Sequence, residues 1–275
     1  MIQGKRFSTS PVEIISSLVQ YRQLIWNMTR RDVIGRYRGS FLGMAWSFFN
    51  PLLMLAVYTF VFSLVFRARW DTGTDSRMEF ALVLFIGMMT HGLLAECVNR
   101  SPGLITNNSF YVKKIVFPLE IQSWIIMCSA LFHLLISLCV WSLIYILVNR
   151  TFNWTIVFLP VIYLPLVFFS LGFSWFLSSI GVFLRDVSQI TGVFTTILLF
   201  LSPVFYPMSA IPEQYRMLIY LNPLTFIIEQ ARDVLMWGML PDWPGLAVSF
   251  SGGILVAWLG FAWFQKTRRG FADVL

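Results

Sequence analysis

The chain has 275 residues, of which 57% are hydrophobic and only 12% are charged, and its mean hydropathy is +0.73. A soluble domain carries about 25% charged residues, so this composition excludes an ordinary soluble domain and predicts an integral membrane protein. The formal net charge of +7 could suit nucleic acid, but the basic residues flank apolar runs, as they do when they set membrane orientation. We therefore expect no nucleic-acid partner.

The N-terminal segment predicts an amphipathic helix over residues 10–29. Ile14, Leu18 and Tyr21 recur at helical spacing, and polar side chains fill the opposite face. Such a helix is too polar to cross a bilayer, so we expect it to lie along the membrane interface. The basic run that follows, residues 30–39, is predicted to be a hinge before the first membrane crossing.

Six apolar runs follow, the fifth barely long enough to cross a hydrocarbon core of about 30 Å at about 1.5 Å per residue. Their approximate bounds are 42–66, 80–98, 123–148, 155–183, 190–205 and 245–264. The sequence therefore predicts a single all-α membrane domain over residues 1–275. Six crossings place both termini on one side, and because Lys and Arg concentrate on that side, we expect both termini to be cytoplasmic.

The fifth run ends in a group of prolines. Proline removes a backbone donor and crowds the preceding helical turn, and broken backbone survives in a bilayer only where protein or a water-filled cavity shelters it. We therefore expect broken, re-entrant helices between the fifth and sixth crossings, which would form a gate. The candidate gate residues are Pro203, Tyr206, Pro207, Pro212, Asn222 and Pro223.

Aromatic side chains make up 17% of the chain. Interfacial belts are predicted to include Trp141, Trp154, Trp243 and Trp263. Other aromatic side chains form stripes on the first and fifth crossings, and we interpret these as the lining of a channel in which a sugar chain slides by stacking. The alternative for each of them is helix packing. The candidate channel residues are Trp46, Phe49, Tyr58, Phe62, Phe194 and Phe200.

The sequence lacks the motifs of several kinds of catalytic and metal-binding site. No GxxxxGK[ST] pattern occurs, so we expect no nucleotide hydrolysis by that route. The three cysteines show no CxxC spacing, and neither a metal site nor a catalytic residue is predicted. The ionisable side chains His91, Glu96 and His133 lie well inside the predicted crossings. They could relay protons in a carrier, or they could pair between helices, with Glu96 meeting Arg100.

Four segments carry a resemblance to a known family. They are RRDVIGRYRGSFLGMAWSFFNPLLMLAVYTFVF at the first crossing, KKIVFPLEI before the third, FLRDVSQI before the fifth, and LSPVFYPMSAIPEQYRMLIYLNPLTFIIEQAR after the fifth. In order and spacing they resemble ABC-2-type exporter permeases, and most closely those of the O-antigen and capsular polysaccharide export class (Wzm/KpsM-like). The resemblance covers nearly the whole chain.

The resemblance implies a homodimer paired with two copies of a separate ABC ATP-binding subunit. That subunit would bind ATP and Mg²⁺, so this chain would be a transport subunit with no cofactor and no enzyme activity of its own. The resemblance implies export of an undecaprenyl-diphosphate-linked glycan across the inner membrane of a Gram-negative cell, as in lipopolysaccharide biosynthesis, with the gate on the periplasmic face. The implied ATPase-coupling residues are Ser101, Pro102, Leu104, Ile105, Asn107 and Asn108. The implied cytoplasmic mouth, where basic side chains would attract a lipid diphosphate or anionic membrane lipid, comprises Arg30, Arg31, Arg36, Arg38, Arg185 and Asp186.

Two alternative functions stay open beside the proton-coupled carrier. A permease of the same superfamily that exports drugs or lipids would carry similar segments. A membrane-bound sugar transferase would need a catalytic cluster at one interface, and its candidate residues are Asp71, Asp75 and Glu79.

Overall fold

The computed structural model describes residues 9–61, 77–113 and 117–275. Within these ranges the chain is helical and contains no strand. The helices in chain order are α1 (Pro11–Gln20), α2 (Arg22–Tyr37), α3 (Trp46–Tyr58), α4 (Arg77–Arg100), α5 (Gly103–Thr106), α6 (Ser109–Lys113), α7 (Ile121–Asn149), α8 (Leu159–Phe183), α9 (Val187–Leu201), α10 (Glu213–Tyr220), α11 (Pro223–Arg232), α12 (Trp243–Thr267) and α13 (Phe271–Val274). The all-α prediction is confirmed for this part of the chain.

Five helical stretches in the described ranges are long and apolar enough to cross a membrane. They are Gly43–Val61, Met78–Arg100, Ile121–Asn149, Trp154–Phe183 and Trp243–Val274. Each overlaps one of the predicted crossings. The remaining candidate, α9, is apolar but has only 15 residues, which is about 22 Å at about 1.5 Å per residue. The predicted fifth crossing, and with it the count of six, therefore stays a prediction.

The N-terminal helix differs from its prediction in two respects. The chain forms two helices that meet at Tyr21, whose φ of −102° and ψ of 16° interrupt the helix. The second helix, α2, continues to Tyr37, so the predicted basic hinge is largely helical. The physical reason is an inward stripe of Ile25, Thr29 and Val33, which are buried at four-residue spacing on the face of α2 that packs against α7.

The long helices pack around α4, which is the most enclosed of them and contacts α7, α8, α9 and α11. Beside it, α8 and α12 run along each other in close contact. A Cβ on Gly260 would collide with the Gly172 carbonyl oxygen, and a Cβ on Gly172 would collide with the Val256 carbonyl oxygen. Small residues therefore allow the close helix approach that is common in membrane proteins.

One of the four tryptophans predicted at the interfacial belts lies in the protein interior. Trp154, Trp243 and Trp263 are 65%, 51% and 46% exposed, whereas Trp141 is 1% exposed. The Trp141 indole Nε1 donates to the Leu82 carbonyl oxygen at 3.1 Å. The belt prediction was wrong for Trp141, because its polar atom is satisfied inside the helix bundle rather than at a wet interface.

Candidate functional site

The predicted site residues fall mainly into two regions at opposite ends of α4. One region surrounds α5 and α6, which connect α4 to α7, and is referred to below as the α5–α6 end. The other surrounds α10 and α11, which connect α9 to α12, and is referred to as the α10–α11 end.

A network of charged side chains links three helices at the α5–α6 end. Arg100 of α4 donates to both carboxylate oxygens of Asp32 in α2, at 2.6 and 2.9 Å, and to Glu96 at 3.2 Å. Glu96 also accepts from Arg36 of α2 at 2.6 Å, and its other oxygen lies 2.9 Å from Nδ1 of His133 in α7. The network therefore ties α2 to α4 and α7 at the point where α4 leads into α5.

This network shows which of the ionisable side chains in the crossings meet. The predicted contact between Glu96 and Arg100 is confirmed. His91 bonds elsewhere, because its Nε2 lies 2.9 Å from the Thr195 carbonyl oxygen in α9. The Tyr37 hydroxyl lies 3.2 Å from Nε2 of His133, and burial raises the pKa of Tyr37, so this hydroxyl stays protonated.

Three of the predicted ATPase-coupling residues, Ser101, Pro102 and Ile105, are buried within the chain. The Ser101 hydroxyl donates to the Ser174 hydroxyl of α8 at 2.8 Å. The carbonyl of Pro102 lies so close to Gly181 of α8 that a Cβ at Gly181 would collide with it. These inner residues therefore seat the start of the segment on α8.

The other three predicted coupling residues lie nearer the surface. Asn107 is exposed, and Leu104 and Asn108 are half-buried. Phe110 on α6 is 54% exposed and was not among the predicted coupling residues. The signal that could have found it is an aromatic residue two positions after Asn108, directly beside the predicted coupling residues. Asn107 and Phe110 are thus exposed side chains of this segment.

A cavity of about 420 Å³ opens between α2, the α5–α6 segment and α7. Its polar lining includes Arg31, Asp32, Asn99, Arg100, Asn107, Asn108, Gln122 and Ser188. Arg31 is the predicted mouth residue that lines it, whereas Arg36 is engaged with Glu96 at 2.6 Å. The remaining predicted mouth residues are exposed, and they are Arg30, Arg38, Arg185 and Asp186.

The α10–α11 end contains the helix break that the prolines predict. α9 ends at Leu201, and the chain turns through Ser202 and the buried Pro203. Asn222 caps α11 by accepting from the Leu224 amide at 3.1 Å, and it donates through Nδ2 to the Ser202 hydroxyl at 2.8 Å. The turn that precedes α11 is thus bonded to the end of α9.

The other predicted gate residues surround this break. Tyr206 and Pro207 are half-buried, Pro212 is exposed, and Pro223 is the first residue of α11. The Tyr206 hydroxyl donates to the Phe200 carbonyl oxygen at 2.8 Å. A re-entrant path of α10 and α11 through the bilayer stays a prediction.

Arg232 of α11 holds this end together, and no sequence pattern singled it out. Its side chain is fully buried. Nε donates to the Val83 carbonyl oxygen of α4 at 3.2 Å, Nη2 donates to the Val204 carbonyl oxygen after the break at 3.0 Å, and Nη1 donates to Glu229 at 2.7 Å. A Cβ on Gly87 of α4 would lie 3.1 Å from Nη2, so α4 is closely apposed to the guanidinium.

Two candidate channel residues, Tyr58 and Phe200, both lie beside Phe205 at the α10–α11 end. The Tyr58 ring lies 6.3 Å from that of Phe205, which lies 5.7 Å from that of Phe200. Trp46 and Phe49 lie at the other end of α3, with Phe49 40% exposed. The structure therefore brings Tyr58 and Phe200 together through Phe205.

The last two candidate channel residues have different outcomes. Phe194 on α9 is 38% exposed, and its ring lies 6.3 Å from that of Phe173 in α8. Phe62 lies outside the described residues, as do Asp71 and Asp75 of the acidic cluster. The lining role of all six candidate channel residues stays a prediction.

The long apolar helices define a multi-pass membrane protein. A sequence model of the family described as ABC-2 type transporter matches residues 23–236, and the chain belongs to this family. It is 26% identical over 264 residues to the O-antigen export system permease protein RfbA of Myxococcus xanthus, covering 95% of this chain and 99% of the relative. A Klebsiella pneumoniae protein of the same name is 28% identical over 255 residues, covering 90% and 93%. The polysialic acid transport protein KpsM of Escherichia coli is 23% identical over 244 residues, covering 87% and 90%.

The resemblance inferred from the four sequence segments is therefore confirmed at the level of the family.

Proposed function

We propose that this chain is the permease subunit of an ATP-driven exporter that moves a lipid-linked polysaccharide, such as O-antigen, from the cytoplasm to the periplasm. The observation that carries the proposal is similarity over nearly the full length to permeases named for O-antigen export and a transport protein named for polysialic acid. The permease would lie in the bacterial inner membrane. Both termini would be in the cytoplasm, because Lys and Arg concentrate on the side of the termini.

Energy would come from two copies of a separate ABC ATP-binding subunit, which would hold ATP and Mg²⁺. The α5–α6 end supports this role, since Asn107 and Phe110 project from a segment whose other side is seated on α8. An exposed aromatic side chain is a common anchor in the pocket of a partner protein. We therefore assign Phe110 as an anchor for the ATPase, beside the predicted coupling residues.

The charged network supports a route for movement from the ATPase into the membrane. Arg100 directly precedes the coupling segment and is bonded to Asp32 of α2 at 2.6 and 2.9 Å. A push on the segment would therefore move α2 together with α4, and Glu96, which binds Arg36 and lies 2.9 Å from His133, would carry the movement to α7. In this mechanism the interface helix and the coupling segment act as a single lever.

A homodimer would complete the pore. α3 and α9 both carry exposed apolar faces, which in a bilayer are covered by lipid or by protein. We propose that a second copy of the chain covers part of them and that the glycan passes along the dimer axis beside Tyr58 and Phe200. Stacking on aromatic rings binds a moving chain at many shallow sites, which favours conduction over trapping. The exposed Arg30, Arg31 and Arg38 would attract the lipid diphosphate at the cytoplasmic face.

A second candidate function is export of a drug or lipid by a permease of the same architecture. It is favoured by the many exposed aliphatic side chains on α3 and α9, among them Leu53, Val57, Val193 and Ile197. A proton-coupled carrier has less support, because His91 and Glu96 bond to different partners.

Purification of the tagged chain from native membranes tests the ATPase partner. We expect mass spectrometry to find a P-loop ATPase at one-to-one stoichiometry, with ATPase activity in the purified complex. Phe110→Asp should weaken recovery of the ATPase about thirty-fold, the effect of losing about 2 kcal/mol at an interface hot spot. The matched control is Phe152→Asp, in the loop after α7, where the phenylalanine is 48% exposed. Recovery of the wild-type chain alone in several detergents would contradict the proposal.

The cargo is tested in a strain that lacks the chain. Lipid-linked glycan should accumulate in the cytoplasmic leaflet and surface polysaccharide should disappear, and both should be restored by the wild-type gene. Normal surface polysaccharide in this strain, combined with recovery of an ATPase in the purification of the wild-type chain, would favour a drug or lipid cargo instead.

A further inference from the structure

The segment that joins α4 to α7 is anchored at both ends. The lever described above uses the anchor at its start, where Arg100 meets Asp32. At the other end, Arg268 after α12 donates through Nη1 to Glu120 Oε2 at 2.6 Å and through Nη2 to the Phe117 carbonyl oxygen at 3.1 Å. Both members of the Arg268–Glu120 ion pair are 13% exposed. A largely enclosed ion pair thus joins the C-terminal tail to the end of the segment.

The tail that carries Arg268 is itself folded onto the helix bundle. The Thr267 hydroxyl lies 2.6 Å from the Ser179 hydroxyl of α8. Phe271 is fully buried, and its ring lies 6.0 Å from that of Phe183 at the end of α8. α13 also packs against α6 and α8. Arg268 therefore binds Phe117 and Glu120, which follow α6, from a fixed base formed by α8 and α12.

Phe117 and Glu120, the two residues that Arg268 binds, lie between α6 and α7 in the sequence. The Tyr111 ring of α6 is stacked on Phe117, with centroids 4.5 Å apart and an interplanar angle of 18°. Glu120 is the residue before α7, and its carbonyl oxygen accepts from the indole Nε1 of Trp175 at 3.0 Å. A displacement of α6 therefore reaches Phe117 and Glu120, the two residues that Arg268 binds.

We propose that Arg268 and Glu120 are positioning residues for ATP-driven export, and that the C-terminal tail sets the position of the coupling segment against α7. The inference rests on the proposed function. An enclosed ion pair is held firmly only while both charges are present, because an unpaired charge in low-dielectric surroundings is costly. The pair therefore makes the tail a fixed support against which movement of the α5–α6 segment is converted into movement of α7. Without it the ATPase would still turn over, but less of its movement would reach the membrane helices.

The test measures export and ATP hydrolysis in parallel for the complex of the chain with its ATPase. Arg268→Gln and Glu120→Gln should each lower the ratio of export to ATP hydrolysed about ten-fold, within the range of coupling energies between contacting residues. Arg269→Gln is the matched control, because Arg269 is the neighbouring arginine and is exposed. The double variant Glu120→Arg with Arg268→Glu should recover part of the ratio lost in the corresponding single variants Glu120→Arg and Arg268→Glu, since it restores the ion pair but not the bond to Phe117.

The outcomes separate this inference from the proposed function. A wild-type complex that has no ATPase or exports no glycan contradicts the proposed function itself. An active wild-type complex in which Arg268→Gln leaves the ratio unchanged, or lowers export and ATPase rate in parallel, overturns only the positioning role. A charge-reversed double variant that is no better than the corresponding single variants, in yield or in export, also overturns it.

Discussion

The two ends of α4 are held by different kinds of bond. At the α5–α6 end, Arg36, Arg100 and His133 share the carboxylates of Glu96 and Asp32, so side chains bind side chains. At the α10–α11 end, Arg232 donates to two backbone carbonyl oxygens as well as to Glu229. In the first arrangement Arg100 has two carboxylate acceptors and Glu96 binds two arginines, whereas the second fixes one buried guanidinium to the main chain.

The difference matches what each end would do in an exporter. Partners that are shared can be exchanged as helices shift, which suits a lever that moves in every ATPase cycle. Carbonyl oxygens of a helix or a tight turn cannot rotate away as side chains can, so Arg232 ties α4 and the break after α9 to α11 in one arrangement. Three substitutions test this contrast, beginning with the end held by backbone carbonyls.

The largest effect is expected for Arg232→Met. The substitution leaves Glu229 and two carbonyl oxygens without the buried guanidinium, and breaking such a buried pair costs about 3–5 kcal/mol. We expect a large drop in the yield and thermal unfolding midpoint of the detergent-purified protein. Arg216→Met is the control, since Arg216 is 39% exposed and lies 3.8 Å from Glu213, and its loss should change little. Equal behaviour of the two variants would remove the contrast between the ends.

A smaller effect is expected for Asp32→Asn at the α5–α6 end. Asn keeps one acceptor oxygen and Arg100 keeps Glu96, so the substitution should cost about 1.5–3 kcal/mol, the range for a hydrogen bond to a charged group. The loss should shrink as salt is raised, because the side chains of Asp32 and Arg100 are both 29% exposed. Glu213→Gln, at a side chain that is 90% exposed, is the control. A loss as large as that of Arg232→Met would mean that the shared network is as rigid as the buried arginine.

The smallest effect concerns pH at the α10–α11 end. Burial raises the pKa of Asp233 to about 6, with repulsion from Glu229 adding to it and Arg232 opposing it. The folded state therefore takes up this proton at higher pH than the unfolded state, so stability should rise as pH falls from 7 to 5. The gain should stay below about 1 kcal/mol, because the carboxyl is only half-buried and is screened by water. Thermal unfolding midpoints against pH should show this slope in the wild type and lose it in Asp233→Asn.

Apolar runs predicted the long helices well, because crossing a hydrocarbon core demands length and low charge and leaves few alternatives. The charged network was predicted only in part. Glu96 and His133 were recognisable because charge inside an apolar run is costly, and the Glu96–Arg100 pair is four residues apart on one helix. The Asp32–Arg100 pair spans 68 residues and depends on how α2 packs.

Arg232 was overlooked and Trp141 was wrongly assigned to the interfacial belt, and both errors have the same physical cause. Both donate to backbone carbonyl oxygens, of Val83 and Val204 in one case and of Leu82 in the other. Every residue has such an oxygen, so these acceptors leave no signature in the sequence. The buried face of α2 was missed for a related reason. The stripe includes the polar residue Thr29, and it is buried because α2 packs against α7, which the sequence of α2 does not reveal.

The position of Arg232 in the chain also bears on how the protein is made. Its acceptors Val83 and Val204 lie 149 and 28 residues earlier in the sequence. Domains are synthesised and begin to fold from the N-terminus, so α4 and the turn after α9 leave the ribosome before the arginine does. The guanidinium thus meets oxygens that are already in the nascent protein. The charge of Arg232 can therefore be buried late in biogenesis, because the carbonyl oxygens that accept its hydrogen bonds have already been synthesised.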